Sequence, residues 1–141
     1  MSNMPYVNFD LNSLVVLLRA DETLMSLITS LTADRPYYEK ETPYAYLESQ
    51  SIAPVWIILR NVVSLRVVLG EDWTDKEFKQ IISAFDNAVL PPIDWCLPIK
   101  KVGDVQIINV SKWPSTQKYR YSESKWSLNL TQDYYFDVAT I

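Results

Sequence analysis

Carboxylates are the only side chains in this sequence numerous enough to support acid–base or metal chemistry. There are 17 Asp and Glu residues, a single cysteine (Cys96) and no histidine. Without imidazole the chain lacks the usual general base near neutral pH, any His-containing nucleophile triad and most zinc sites. One thiol is too few for a structural zinc or iron–sulfur centre. Gly70 and Gly103 are the only glycines, so neither a dinucleotide fingerprint nor a phosphate-cradling loop can be built. The expectation is a protein that is not an enzyme and carries no cofactor or metal.

The carboxylates themselves have plainer uses. Glu71, Asp72, Asp75 and Glu77 cluster where a helix is expected to begin; there negative charge complements the helix dipole. A hard-cation site is the alternative, but no glycine-turned loop is present to build it. Asp133 and Asp137 fall on one side of an expected strand, roughly 13 Å apart along it. That is too far for an acid–base pair, so a solvated or interface-facing role is expected.

Charge is unevenly spread. The chain carries −4 overall, yet residues 100–125 carry +4 and the remainder −8. An acidic body with one basic segment favours head-to-tail association, or turns one loop toward a polyanion; a solvated loop is the plain reading. Tyr119, Tyr121 and Trp126 beside Lys118, Arg120 and Lys125 superficially form a single-strand nucleic-acid platform, but the acidity of the chain argues against it. Arg60 and Arg66 interrupt an otherwise apolar strand. Two readings stand open: they point to solvent and blunt a sheet edge, or they pair with acidic groups across a subunit boundary.

These residues need elements to hold them. At 141 residues the chain suits one domain, 1–141, able to fold without a metal or disulfide. Asp10 and Asp21 cap two short helices, with Leu11, Leu14, Val15, Leu18, Leu24, Leu27, Ile28 and Leu31 as their apolar stripe. Pro36 and Pro43 make residues 32–43 a connection. Tyr44 to Leu47 reads as a strand, Glu48-Ser-Gln-Ser51 as a hairpin tip, and Val55 to Leu69 as a long strand bulged near Arg60-Asn61. Thr74 and Glu77 form a capping box, with Trp73 and Phe78 at the staple positions. Phe78, Ile81, Ile82, Phe85 and Val89 make the buried face of the helix that follows, which Pro91-Pro92 ends. Residues 91–103 read as a loop, Val105 to Val110 as a strand and 111–118 as a loop.

From Trp126 to Val138 the sequence alternates. Trp126, Leu128, Leu130, Tyr134, Phe136 and Val138 share one parity with Gln132; Ser127, Asn129, Thr131, Asp133, Tyr135 and Asp137 share the other. Period two over this length predicts a long strand with one face buried and one face wet. The expected fold is α+β: a single antiparallel or mixed β-sheet of long strands, covered on one face by helices, in the order α-α-β-β-α-β-β. No stretch reads as a signal peptide or is apolar over eighteen residues, so no membrane contact is expected.

Local text also resembles the tail terminator, or tail-completion, proteins of long-tailed bacteriophages. Leu17-Leu-Arg-Ala-Asp21 with Leu24 and Leu27 is similar to that family's helix, Asp break and second short helix. Asp34-Arg-Pro-Tyr37 and Pro43-Tyr-Ala-Tyr46 resemble its lead into the first strand. Trp73-Thr-Asp-Lys-Glu77 opens a helix where the family has its sheet-covering helix. Tyr119-Arg-Tyr121, a polar tip and Trp126-Ser-Leu128 resemble its closing hairpin. The region 91–115 has no counterpart.

The resemblance implies a structural virion protein, a homohexameric ring capping the finished tail tube. Its implied partners are further copies of itself, the major tail tube protein, the head-side connector and, where the tail contracts, the sheath. DNA enters only as cargo through the lumen. The implied location is the tail or neck of the virion, with assembly in the host cytoplasm; another neck or tube component and an unrelated ligand-binding or immunity-type domain are the alternatives. The candidate interface residues are Trp56, Arg60, Arg66, Lys112, Trp113, Lys118, Arg120, Lys125, Asp133, Tyr135 and Asp137.

Overall fold

The computed structural model describes residues 10–36, 41–55, 58–70, 72–91, 96–103, 105–113, 117–122 and 126–139. Helices α1 (Leu11–Arg19) and α2 (Glu22–Leu27) come first, then strands β1 (Leu31–Ala33), β2 (Tyr44–Val55) and β3 (Ile58–Leu69). Helix α3 (Asp75–Val89) follows, and β4 (Lys101–Val102), β5 (Val105–Lys112), β6 (Gln117–Ser122) and β7 (Trp126–Ala139) complete the order.

The helices start where their sequence says they should. Asp10 accepts from the Asn12 N–H at 3.1 Å, Asp21 from Leu24 at 2.9 Å, and the Thr74 hydroxyl from Glu77 at 3.2 Å. Each such bond satisfies a backbone donor that the first helical turn leaves without a partner. Arg19, at the end of α1, donates Nε and an Nη to the Leu31 carbonyl at 3.0 and 2.7 Å. That bond fastens the helix to the first strand.

The strands form one seven-stranded mixed sheet, ordered β1-β2-β3-β7-β5-β4, with β6 also on β7. β1 runs parallel to β2, and the other pairings are antiparallel. β7 is the spine of the sheet. One of its edges pairs with β3 in unbroken register from Ile58↔Ala139 to Leu69↔Leu128. The other carries β5 and β6 end to end, β5 along Tyr134–Val138 and β6 along Trp126–Thr131.

The core lies between the helices and one sheet face. Leu14, Leu18, Leu24, Ile81 and Phe85 pack there with Leu47, Val63, Leu65, Val67, Leu130, Tyr134, Phe136 and Val138. Burying each large apolar side chain contributes roughly 1.5–3 kcal/mol. The α+β class, the long strands and the helical cover all match expectation, and three short strands add to the expected order.

Several boundaries differ. Residues 48–51 are not a hairpin tip: β2 runs on to Val55, which pairs with Ile58 of β3. The polar run Glu48-Ser-Gln-Ser51 holds as strand because β3 pairs with Glu48, Ser49 and Ser51. The bulge sits on β2, between Ser49 and Ser51, and not at Arg60-Asn61, where β3 keeps perfect register with β7. Leu31, expected on the stripe of the second helix, instead opens a short strand, Leu31–Ala33, that runs into the expected connection 32–43 and is ended by Asp34 at φ 63°. The loop 91–103 contains β4, and the loop 111–118 is shortened from both sides, by Lys112 in β5 and Gln117 in β6.

Candidate interface on the open sheet face

The face of β7 expected to be wet is largely dry. Asp137 is 3% exposed, Thr131 5% and Asn129 9%, while Asp133 and Tyr135 are half-buried. Register supplies the reason. Arg60 lies opposite Asp137, Val62 opposite Tyr135, Ser64 opposite Asp133 and Arg66 opposite Thr131. Directly opposed side chains on one sheet face touch, and here Asp137, Asp133 and Thr131 of β7 each meet a polar partner on β3.

Arg60 makes the strongest of these contacts. Its Nε and Nη2 reach the two Asp137 oxygens at 2.9 and 3.2 Å, a two-pronged pairing. The Asp137 side chain is 4% exposed and that of Arg60 36%. The hydrogen bond and the charge of Asp137 together push the guanidinium pKa further up. The same guanidinium lies 5.1 Å from the centre of the Tyr135 ring, within range of a cation–π attraction. Tyr135 in turn meets Trp113 edge-on, centroids 5.8 Å apart and planes at 84°.

The row continues along the sheet. Ser64 donates to Asp133 at 2.5 Å. Arg66 pairs with Glu48 on β2 at 3.2 Å and reaches the Thr131 hydroxyl at 3.4 Å. Beyond it, Tyr44, Tyr46 and Val68 form a small apolar cluster of their own. The strand-edge reading of the arginines does not survive, because β3 is an interior strand. Each has an acidic partner within the chain, Asp137 for Arg60 and Glu48 for Arg66.

Lys112 belongs elsewhere. It lies opposite Tyr134 and bonds Asp86 of α3 at 2.8 Å, while the Tyr134 hydroxyl donates to the other Asp86 oxygen at 2.5 Å. Burial first, then the Asp86 hydrogen bond and charge, push the Tyr134 pKa up. Asp86 thus ties helix to sheet, a role the sequence reading assigned to no residue. Lys118 and Arg120 occupy β6 positions opposite Leu130 and Leu128. Trp56 and Lys125 lie outside the described residues.

The structure therefore brings Arg60, Trp113, Tyr135, Asp137, Asp133 and Arg66 onto one face and separates Lys112 from them. Glu48, Ser64 and Thr131 complete the row and were missed. A signal for them existed: Arg60 and Arg66 are six residues apart, as are Thr131 and Asp137, which is the spacing antiparallel partners share. The face offers an ordered surface of charge pairs and rings. Among the described residues no three potential metal ligands converge, and no helix is long and apolar enough to cross a membrane.

No protein-family model matches the sequence, and no curated protein matches it either. Among solved structures, the fold is similar to that of a chain in the virion of a native gene transfer agent particle. The TM-score is 0.63 at 16% identity, over 88% of this chain and 90% of that one.

Proposed function

We propose that this chain is a structural virion protein that assembles into a homohexameric ring, caps the tail tube, stops its polymerisation and joins the tail to the head-side connector. The observation that carries the reading is the likeness to a gene transfer agent virion chain over nearly the full length of both. Independent support comes from the resemblance of Leu17–Leu27, Pro43–Tyr46, Trp73–Glu77 and Tyr119–Leu128 to tail terminators. The chain then works by contact alone and has no catalytic step. Its partners are copies of itself, the tube protein, the connector and, in a contractile tail, the sheath; DNA passes through the lumen.

In this reading the ordered face around Arg60, Tyr135 and Trp113 is a contact surface. Arg and aromatic side chains already held in place lose little freedom on binding, which favours association. Lys118, Arg120 and Lys125 supply the basic complement to an acidic neighbour.

Native mass spectrometry of the purified protein, with immunogold labelling of virions, tests the reading. The expected result is a six-subunit species and label at the head–tail junction. Label along the tube would reassign the protein to the tube, and a monomer absent from virions would sink the proposal.

A further inference from the structure

We infer that neighbouring copies join by strand addition, the free edge of β5 in one copy pairing antiparallel with the free edge of β2 in the next. This rests on the ring reading above and specifies its subunit contact.

Among the described residues both edges have a stretch of backbone that no strand covers. β1 covers only Ala45–Leu47 of β2, bonding it through Ala45 N–H and the Leu47 carbonyl. Among the described residues no strand lies beside Ser49–Val55 on that side. At the other side of the sheet, β4 pairs with β5 at Val105 and Gln106, and the Ile107 N–H bonds the Lys100 carbonyl at 2.9 Å, so the uncovered stretch begins beyond Ile107. The Trp113 N–H points to β7, bonding the Asp133 carbonyl at 3.0 Å. Main-chain groups alternate in direction along a strand, so those of Val110 and Lys112 point away from β7. An unpaired strand edge is a template for another strand.

The two edges match in level and direction. Ile52, Asn61, Phe136 and Val110 form one row across β2, β3, β7 and β5, and Ser51, Val62, Tyr135 and Ser111 form the next. Each step reverses strand direction, so β5 runs antiparallel to β2. A rotation about an axis along the strands preserves that relation, and the row continues from Val110 of one copy to Ile52 of its neighbour. Different edges meet, so the contact is head-to-tail, the type that closes into a ring.

A seat for the incoming strand lies beside β5. Helix α3 overhangs that edge, leaving a groove of about 420 Å³ floored by Phe78 and Ile82 and bounded by Asp75, Asp86 and Lys112. In that register Lys112 faces Gln50, so the uncharged run Ser49-Gln50-Ser51 lies beside this groove, with Ile52 next along at Val110. The β2 stretch Ser49–Val55 carries no charge, so nothing on it repels β5, whose one charge, Lys112, is held by Asp86. Pro54 and the bulge at Gln50 limit how else this edge can pair, which favours one register over indiscriminate sheet growth.

The test is a cysteine pair on a Cys96→Ser background, in the full chain. Ser51→Cys with Ser111→Cys places thiols opposite each other between copies. Within one copy the two sites are three strand spacings apart, about 14 Å, beyond disulfide reach. Mild oxidation should give covalent multimers on a non-reducing gel from the double variant, and monomers from either single variant. A six-subunit species whose Ser51→Cys site crosslinks with none of Asn109→Cys, Ser111→Cys and Trp113→Cys would overturn strand addition and leave the ring standing. A monomeric parent protein would overturn both.

Discussion

The Tyr134 hydroxyl of β7 donates to the Asp86 carboxylate of α3 at 2.5 Å, bridging sheet and helix beneath a ring 0% exposed. Tyr134→Phe removes that bond and leaves Asp86 to Lys112. The expected loss is about 1–2 kcal/mol, read from urea denaturation at neutral pH.

The same pair sets an alkaline limit. An unfolded tyrosine ionises near pH 10, whereas burial and Asp86 hold the folded Tyr134 protonated to higher pH. The folded state then binds the extra proton, so this contribution is complete below about pH 10 and declines above it by roughly 1.4 kcal/mol per pH unit. Urea midpoints from about pH 9 to 11 should fall more steeply for the parent chain than for Tyr134→Phe. Parallel curves would show that Tyr134 is not the group responsible.

On the open face, Arg60→Met strands the Asp137 carboxylate, whose side chain is 4% exposed. Breaking a fully buried pair removes about 3–5 kcal/mol; with Arg60 itself a third exposed, about 2 kcal/mol is expected. Asp137→Asn should cost less, since it leaves no buried charge. A double-mutant cycle on chemical denaturation measures the coupling, and additive effects would mean the two-pronged contact contributes nothing.

Thr74→Ala removes the acceptor for the Glu77 N–H and should destabilise by about 1 kcal/mol, with Thr74→Ser recovering most of it. Thermal unfolding of the three proteins distinguishes this from a general loss of packing.

Caps of this kind were legible in the sequence because they are local: Asp10, Asp21 and Thr74 sit within three residues of the N–H groups they satisfy. The buried faces of α3 and β7 were legible for the same reason, through periodicity. What escaped depended on partners distant in sequence. Glu48-Ser-Gln-Ser51 has the composition of a turn, and only its ladder to Val62–Ser64 makes it strand. Alternation in β7 sorted its residues correctly by face, but polarity did not predict exposure, because Arg60, Ser64 and Arg66 cover that face from 65 to 77 residues away. Asn61 and Gln132 sit on the core side against their polarity. Gln132 is satisfied by the Trp113 carbonyl at 2.8 Å, whereas Asn61 Oδ1 has no protein partner.

Lys118→Glu with Arg120→Glu tests the basic segment. If it contacts an acidic neighbour, the solution mass should fall from the ring to smaller species while the circular dichroism stays that of the parent. An unchanged ring would make this segment a solvated one.

The arrangement around β7 has a mechanical consequence. β3 flanks it through twelve paired positions, and β5 and β6 cover its opposite edge in two consecutive stretches. Tension along β7 would load all three ladders in shear, so many hydrogen bonds must give way together and none can unzip in turn. A chain built on such a strand withstands pulling along it better than its modest size suggests.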